Sequence, residues 1–435
     1  MVVKRTTKRV CILGAGAAGL CAARHCQDHG YDVTVFEQLS DCGGTWLYSP
    51  KPNSFSSLYE KMFTNIPKEV MSLEHLELTT DSGRSFIHHQ EMLDYLKRYA
   101  KPIRHLIKFN TTVTKINRQD AQWLVTVKPS KSSNDQTNGV LSEQITSAEI
   151  YRFDLLFICN GHFSTPRIPL FASQLTIPWI HCHNYKRPDE YVGKEVAIVG
   201  AGPSGVDVAI QISKVARKVH LLYNMKVKYG LPENVVINAN VISVFNGRSL
   251  LLGNGEQLDN LDAVVFCTGY KYEVPFCQSD LLEVKSDNWY VSPLYEHCIH
   301  VRYPTSLFVI GKCWFLIPFV CFDQQVKYAL ALADGSSPVP SQEELESFEE
   351  NRLKELKLNG DPIGYFHRLG PDQWKYFDHL AKLANQPPLK PVIRKIFDNV
   401  HEQRTKDLAT FKSFRYRILD SENFEVQPFV DLDCY

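Results

Sequence analysis

The sequence predicts an α/β fold with two Rossmann-like dinucleotide-binding domains. Two glycine-rich stretches, GAGAAG at residues 14–19 and GAGPSG at residues 200–205, each follow a short apolar run and precede a helical pattern. The chain has 435 residues, of which 44% are apolar, so it can build two hydrophobic cores. Because the strand–turn–helix–strand order occurs twice, we interpret the pattern as two nucleotide sites and not as a solenoid repeat.

The first unit has every feature that a dinucleotide fingerprint requires. Residues 9–13, RVCIL, predict a buried strand, and the later strand DVTVFE ends in the acid Glu37. In such a unit Gly14 permits the tight turn, Gly16 lets the backbone approach a pyrophosphate, and Gly19 lets helix and strand pack closely. The helix N-terminus then binds the phosphates, and Glu37 accepts hydrogen bonds from a ribose.

The second unit repeats this order in KEVAIVG, GAGPSG, VDVAIQISKVA and KVHLLYN, with glycines at 200, 202 and 205. Two further apolar runs, YRFDLLFICNG and LDAVVFCTGY, match each other in pattern. We expect each to return the chain to the end of a sheet beside a nucleotide.

An acid is missing where the second unit would need one to select NAD. The strand ends in Tyr223 and Asn224, which leaves room for a 2′-phosphate. Lys226 and Lys228 follow; they are equally suited to pair with that phosphate and to be ordinary solvated charges.

The remaining segments predict surface structure and helices. PSKSSNDQTNGVLSEQ, residues 129–144, is polar and predicts a surface excursion between strands. SQEELESFEENRLKELKLNG opens with a Ser341–Glu344 capping box and ends near Gly360, and PDQWKYFDHLAKLAN predicts another helix. IHHQ, residues 87–90, is expected to cap the helix EMLDYLKRYA.

Composition excludes several classes of protein. Lys plus Arg equals Asp plus Glu, at 48 each, so no nucleic-acid partner is expected. Twelve cysteines without a Cys-x-x-Cys pair indicate reduced thiols and a cytoplasmic location. No apolar run reaches the roughly 18 residues of a membrane helix, so no membrane anchor is expected. The histidines of HCHNY, residues 181–185, lack a third ligand, so no metal is expected.

Six motifs in order, GAGAAG, CGGTW, TNIPKEVM, ICNGHFSTPRIP, GAGPSGVDVA and VVFCTGY, resemble the flavin-containing monooxygenase family. The resemblance is strongest to its soluble insect branch, which includes the pyrrolizidine alkaloid (senecionine) N-oxygenases. It implies FAD at the first fingerprint and NADPH at the second, with the NADP domain inserted into the FAD domain. The implied division is 1–168 for the first part of the FAD domain, 169–285 for the NADP domain, and 286–435 for the second part of the FAD domain with the C-terminal helices.

The resemblance also carries over a set of site residues. Asn65 is implied as the catalytic residue, because an amide there can hold oxidised NADP over the flavin. The implied contacts of FAD are Gly14, Ala15, Gly16, Ala17, Ala18, Gly19, Glu37, Gly44, Thr45, Trp46, Thr64 and Asn65, with Val113 at the adenine and Gln325 at the isoalloxazine. Those of NADP are Gly200, Gly202, Ser204, Gly205, Val206 and Asp207.

Two departures from related enzymes refine this interpretation. Disulfide reductases carry a cysteine pair directly after a Gly-Gly-Thr turn, whereas this chain has Trp46 there, so no dithiol relay is expected. Trp46 suits an aromatic wall near the flavin and ordinary core packing alike. His181 and Tyr185 match only the end of the family identifier, since Leu175 and Ile177 replace its Phe and Gly, and Tyr185 in place of Trp argues against a Baeyer–Villiger monooxygenase.

The expected reaction is NADPH- and O₂-dependent oxygenation of a small amine or sulfide, which attacks a flavin C4a-hydroperoxide without help from a protein acid or base. Two alternatives stay open: an NADPH oxidase that releases hydrogen peroxide, and a non-catalytic alkaloid-binding flavoprotein. The sequence leaves the exact substrate open, and it is compatible with a homo-oligomer.

Overall fold

The computed structural model describes residues 7–130, 148–223 and 229–429. The α-helices are α1 (Ala17–Asp28), α2 (His89–Ala100), α3 (Pro203–Ser213), α4 (Pro318–Asp334), α5 (Gln342–Asn359), α6 (Gln373–Leu383) and α7 (Pro391–Lys406). The first twelve strands are β1 (Arg9–Leu13), β2 (Asp32–Phe36), β3 (Ile107–Lys108), β4 (Thr111–Gln119), β5 (Gln122–Pro129), β6 (Glu149–Phe153), β7 (Leu155–Ile158), β8 (Thr165–Pro166), β9 (Trp179–His181), β10 (Glu195–Val199), β11 (Lys218–Leu222) and β12 (Val235–Asn238). The others are β13 (Val241–Phe245), β14 (Ser249–Leu252), β15 (Gln257–Leu258), β16 (Ala263–Phe266), β17 (Tyr270–Lys271), β18 (Glu283–Lys285), β19 (Tyr290–Ser292), β20 (Leu294–Tyr295), β21 (Ile299–His300), β22 (Leu307–Val309), β23 (Phe414–Ile418) and β24 (Phe424–Pro428).

The first sheet has seven strands in the order β20-β21-β22-β7-β1-β2-β3, and the five from β22 to β3 are parallel. Val10 and Ile12 on one face of β1 pack in one core with the buried side of α1 and with α4. Cys11 and Leu13 on the other face pack against Trp123 of the antiparallel sheet β4-β5-β6. Alternate side chains of β1 therefore pack in two different cores, as expected of a parallel strand that is buried on both sides.

The second sheet, β12-β11-β10-β16-β9, is parallel throughout. Val196 and Ile198 of β10 pack against α3, and Ala197 and Val199 pack on the opposite side against Leu250 of the small sheet β13-β14-β15. Both large sheets thus have a helix layer on one face and a small antiparallel sheet on the other.

The predicted repeat of two nucleotide-binding units is confirmed in atomic detail. Gly14 N donates to Phe36 O at 2.8 Å, and Gly200 N donates to Leu222 O at 3.1 Å. In both units a cysteine directly follows the strand that pairs with the other side of the first strand: Cys159 follows β7, and Cys267 follows β16. The predicted long strand YRFDLLFICN is wrong, however: β6 pairs with β5 and β7 joins the first sheet, because Asp154 between them turns the chain and accepts a hydrogen bond from Arg9 N at 2.8 Å.

The second unit is inserted between β7 and β22, two neighbours in the first sheet. The chain enters the inserted unit through β8 and leaves it through β17, and these two strands pair as a two-stranded ribbon. Beyond this ribbon, Tyr272, Val274 and Leu281 pack in the same core as Cys11. We therefore propose boundaries at the ribbon, near residues 168 and 271, in place of 168 and 285.

The predicted helix caps are confirmed. At α5, Glu344 N donates to Ser341 Oγ at 3.2 Å and Ser341 N donates to Glu344 Oε2 at 2.8 Å, while Gly360 ends the helix at φ +69. At α2, His88 accepts from Gln90 N, and Glu91 completes the capping box. The predicted excursion at 129–144 lies outside the described residues from 131 onward.

Across the three described ranges, no helix combines the length and the apolar character needed to cross a bilayer.

The glycines of the second unit provide a matched pair of variants. A Cβ on Gly205 would collide with the carbonyl oxygen of Gly200, whereas a Cβ on Gly202 would meet no atom within 4 Å at an ordinary φ of −67. We expect Gly205→Ala to lose about 3 kcal/mol or more of unfolding free energy, since backbone cannot yield as a side chain can. Gly202→Ala should stay within about 0.5 kcal/mol of the parent.

Thermal unfolding of the two variants beside the parent protein measures this difference. Equal melting temperatures for both variants would contradict the close packing at Gly205.

Candidate active site

The first glycine turn forms a concave backbone surface without side chains. Gly14 has φ +96, and a Cβ there would lie 2.8 Å from Cys159 O. A Cβ on Gly16 would lie 3.5 Å from the Cα of Gly44, so the turn that carries Gly44 faces the first glycine turn. The backbone between these two turns, at the start of α1, fits a diphosphate, because glycines admit close approach and the helix N-terminus attracts anions. The residues present therefore fit the FAD that the sequence predicts.

Glu37 lies at the end of β2, where its carboxylate is 4% exposed. It accepts hydrogen bonds from Ala15 N at 2.7 Å and from Leu39 N at 2.8 Å. Burial raises the pKa of Glu37 more than these backbone donors lower it. Each oxygen of a carboxylate accepts more than one bond, so Glu37 can hold the glycine turn and a ribose together.

The other predicted FAD residues lie around this turn. Ala15 and Ala17 are buried beside it, and Ala18 packs against the same core. Thr45 hydroxyl lies 3.1 Å from the Ser57 hydroxyl, and Trp46 is partly buried against the core of the first sheet.

The side chains of two predicted residues, Thr64 and Val113, contact other parts of the protein. Thr64 is 1% exposed and its hydroxyl accepts from Ile87 N at 3.1 Å. Val113 pairs with Val127 in the β4–β5 ladder and packs against the core below it.

The prediction of Gln325 at the isoalloxazine needs correction. Its side chain is 0% exposed, its oxygen accepts from Gly311 N at 2.9 Å, and its nitrogen donates to Tyr376 Oη at 2.9 Å. With both ends bonded to protein, Gln325 has no open side to a ligand; it fixes Gly311 at the end of the first sheet.

The second glycine turn has the same geometry as the first. Gly200 has φ +102, and a Cβ there would lie 2.5 Å from Cys267 O. Gly202 and Ser204 are exposed. Because nothing lies within 4 Å of a Cβ built on Gly202, the turn is open for a diphosphate.

The side chains of Val206 and Asp207 contact other parts of the protein. Val206 is 3% exposed in the core of the second unit. Asp207 accepts a hydrogen bond from Tyr59 and another from Lys412 Nζ at 3.0 Å. Asp207 therefore ties α3 to two segments outside the inserted unit, in place of the direct NADP contact that the sequence predicts for it.

A cavity of about 920 Å³ connects the second glycine turn with the first unit and the C-terminal helices. Its wall is mainly apolar and rich in aromatic residues, which include Phe163, Tyr270, Trp289, Trp314, Phe315 and Trp374. Asn65 lines this cavity together with Ser204, so the predicted catalytic residue and the predicted NADP turn face one space.

Local structure holds Asn65 in place. Phe63 forms a bridge with His88, and Thr64 N donates to Ile87 O at 2.9 Å. Among the described residues, none forms a hydrogen bond with the side-chain amide of Asn65, which leaves the amide available to a ligand in the cavity.

Sequence reasoning missed two residues at the carboxyl edge of the first sheet. His162 lines the cavity; its Nδ1 donates to Gly311 O at 3.0 Å, and its buried Nε2 has no protein partner in the described residues. Lys312 is fully buried and its ammonium donates to Asn160 Oδ1 and Gly161 O, each at 2.7 Å. Burial lowers the pKa of His162 to about 3 and that of Lys312 to about 8. Both residues follow strand ends, β7 and β22, and that position is the signal that would have found them.

Arg404 of α7 is a third residue that sequence reasoning missed. It lines the cavity, and it lies close enough to Tyr223, at the end of β11, and to Asp207 for their charges to affect its pKa. Burial is the largest influence and lowers the pKa of Arg404. Nothing local in the sequence connects a residue of α7 with the end of β11.

The two units also meet through polar side chains. Tyr270 of the second unit lies close enough to Ser57 of the first for Ser57 to affect the pKa of Tyr270, and the Ser57 hydroxyl lies 3.1 Å from that of Thr45. Lys186 donates to Ser56 O at 2.7 Å and to Leu58 O at 2.9 Å.

The histidines of HCHNY have protein partners: His181 Nδ1 accepts from His183 N at 3.1 Å, and His183 Nε2 bonds to Ser54 O at 2.8 Å. Elsewhere in the described ranges Cys21, His25 and Asp323 converge, but Lys327 lies 2.7 Å from the Asp323 carboxylate. An ammonium there competes with a metal for the same oxygens, so we assign no metal site.

Comparison with known proteins agrees with this geometry. The profile of the family described as "Flavin-binding monooxygenase-like" matches residues 7–227 and 225–418. Senecionine N-oxygenase of Tyria jacobaeae is 29% identical, over 97% of this chain and 92% of that protein. Flavin-containing monooxygenase FMO GS-OX-like 2 of Arabidopsis thaliana is 33% identical, over 88% of this chain and 86% of its own length.

Solved structures show the same fold. S-allyl-L-cysteine S-oxygenase from Allium sativum superposes with a TM-score of 0.84 at 26% identity, covering 94% of this chain and 95% of that one. Tmm from Pelagibacter superposes with a TM-score of 0.79 at 23% identity, covering 97% and 96%. With two matching nucleotide turns, one shared cavity and these relatives, the chain belongs to the flavin-binding monooxygenase-like family and is a flavin-dependent monooxygenase that uses FAD and NADPH.

Proposed function

We propose that this enzyme transfers one oxygen atom of O₂ to the nitrogen of a small amine or the sulfur of a small sulfide. The observation that carries the proposal is the aromatic cavity shared by Asn65 and the second glycine turn. When bound, FAD accepts a hydride from NADPH and activates O₂. The chain's own part is to hold both nucleotides, orient the substrate and exclude water.

The cavity favours an uncharged or cationic apolar substrate. Aromatic faces attract alkylammonium groups and pack well against sulfur. Relatives named for N-oxygenation of senecionine and for S-oxygenation of S-allyl-L-cysteine support both atom types. We propose pyrrolizidine alkaloids such as senecionine as the first candidates, and we propose a cytoplasmic location because the described cysteines are all free thiols.

A substrate panel tests this function. Tertiary amines, sulfides and pyrrolizidine alkaloids are incubated with enzyme, NADPH and O₂; products are identified by mass, and NADPH and hydrogen peroxide are measured in parallel. Substrate-dependent NADPH consumption with an added oxygen atom in the product supports the proposal. Consumption that yields only peroxide with every compound would identify an oxidase instead, and binding without consumption would identify a binding protein.

Asn65 is proposed to hold oxidised NADP in the cavity after hydride transfer. Replacing it by Ala removes a free amide and no protein hydrogen bond within the described chain. We expect Asn65→Ala to release more peroxide and form roughly 10² to 10³ times less oxygenated product, as is typical for the loss of one donor in an active site. Product and peroxide per NADPH are the measurement.

The control for Asn65 is Thr64→Ser, which keeps the hydroxyl that accepts from Ile87 N. It should retain normal coupling and flavin content. Full product yield per NADPH in Asn65→Ala would show that Asn65 is only a turn residue.

Arg404 is proposed to bind the 2′-phosphate of NADPH. It lies near the end of β11, where Tyr223 stands in place of an acid, and within the described chain no carboxylate forms an ion pair with it. A guanidinium suits a phosphate because it donates in a fixed planar fork. Lys226 and Lys228, the sequence-based candidates for this role, lie outside the described residues.

We expect Arg404→Ala to raise the KM for NADPH roughly tenfold to a hundredfold, the range of a lost charged hydrogen bond, while the KM for NADH changes little. Steady-state kinetics with both nucleotides measure this. The matched control is Arg394→Ala, since Arg394 is also on α7 and lines the same cavity but lies 3.5 Å from its own partner, Asp398. Equal effects of Arg404→Ala on NADPH and NADH would rule out a phosphate contact.

A further inference from the structure

Two cysteines meet at the edge of the cavity, far from the Gly-Gly-Thr turn. Strands β16 and β9 are parallel neighbours, with Val265 opposite Ile180 and Phe266 opposite His181. Cys267 and Cys182 directly follow this last pair, and Cys182 begins a 3₁₀ turn, Cys182–Asn184. Paired residues on neighbouring strands are about 5 Å apart, so the two cysteines leave their strands at a separation close to the roughly 4.4–6.8 Å that the Cα atoms of a disulfide span.

Their side chains share one environment. Both cysteines line the cavity, where Cys182 is buried and Cys267 is partly exposed. The Cys182 sulfur lies 3.9 Å from His181 Nδ1. Since that nitrogen also accepts from His183 N, it carries the lone pair and can take the thiol proton of Cys182.

The two thiols of the pair differ in acidity. The neighbouring Cys267 thiol, followed by the His181 ring, lowers the pKa of Cys182 despite burial. The Cys182 thiol, together with burial, raises the pKa of Cys267. Cys182 is therefore the nucleophilic member, and Cys267 is the thiol that resolves an oxidised partner.

We propose that Cys182 and Cys267 form a reversible disulfide when hydrogen peroxide enters the cavity. The Cys182 thiolate attacks one peroxide oxygen, which gives a sulfenic acid and releases water. The Cys267 sulfur then attacks the Cys182 sulfur and expels a second water, so two thiols and one peroxide become one disulfide and two waters. Two equivalents of a small thiol reverse the reaction by exchange.

The disulfide has a structural consequence for the NADP turn. A disulfide bond is about 2 Å long, so forming it brings the two sulfur atoms together and reorients both cysteine side chains at the ends of β9 and β16. Thr268, Gly269 and Tyr270, which follow Cys267, line the cavity, and a Cβ built on Gly205 would lie 3.3 Å from the Cβ of Cys267. Oxidation therefore moves the wall on which NADPH binds, and we expect its affinity to fall.

The holoenzyme is treated with a graded series of hydrogen peroxide concentrations, alkylated without reduction and mapped by mass spectrometry. We expect cross-linked peptides that contain Cys182 and Cys267, and a KM for NADPH raised about fivefold or more, a common size for coupling between sites. Dithiothreitol should reverse both changes. The peptide map needs no turnover, so it decides the proposal even if the enzyme oxygenates no compound in a substrate panel.

Cys182→Ser and Cys267→Ser should each abolish the cross-link and the peroxide-dependent rise in KM, measured against the same variant before treatment. Cys277→Ser is the matched control: Cys277 is also partly exposed but lies outside the cavity, and its variant should respond as the parent does. The proposal is overturned if other cysteines oxidise while Cys182 and Cys267 stay unlinked, or if the KM of Cys182→Ser still rises.

Discussion

The whole molecule depends on one close contact that is made twice, between a helix and the turn that precedes it. In each unit the third glycine of the fingerprint lies so close to the carbonyl of the first that no side chain fits between them. This contact fixes the start of α1 or α3 against the ends of its parallel strands, which makes both helix N-termini usable as anion sites. Because the NADP unit is inserted between β7 and β22, contacts between the units have to bring the start of α3 to the cavity that Asn65 of the first unit also lines.

Those contacts are both apolar and polar: Tyr59 and Leu408 pack in the core of the inserted unit, and polar side chains connect the units as well. Asp207 on α3 binds Tyr59 and Lys412, and Lys186 donates to two carbonyls of the segment that leads to Asn65. A buried charged group that loses its partners costs far more than an exposed one, so these pairs define one relative position of the units. Asp207 thus contributes to the cofactor site by setting its geometry, without facing the cavity itself.

The sequence predicted what local rules determine. Both fingerprints and the caps of α2 and α5 follow from spacing that acts within a few residues, whereas Asn65 was implied by the family resemblance alone. The sequence did not indicate contacts that tertiary packing decides. The side chain of Gln325 is bonded to Gly311 and Tyr376, and residues 272–282 pack in the core that contains Cys11. Arg404 and the pairing of Cys182 with Cys267 could not be predicted, because α7 and the strands β9 and β16 become neighbours of their sites only through the fold. The cysteine count indicated scattered thiols, and parallel pairing across more than eighty residues brings two of them together.

The protonation state of His162 disfavours proton transfer into the cavity. Burial lowers the pKa of His162, which lines the cavity, to about 3, so its imidazole is neutral at physiological pH. With its Nδ1 proton donated to Gly311 O, His162 presents only a lone pair toward the cavity. Lys312, the cation beside it, has its ammonium hydrogen-bonded to Asn160 and Gly161. A flavin site that activates O₂ loses reducing equivalents as peroxide when protons and water reach it. The apolar, aromatic-rich wall and the neutral His162 limit both at this part of the cavity.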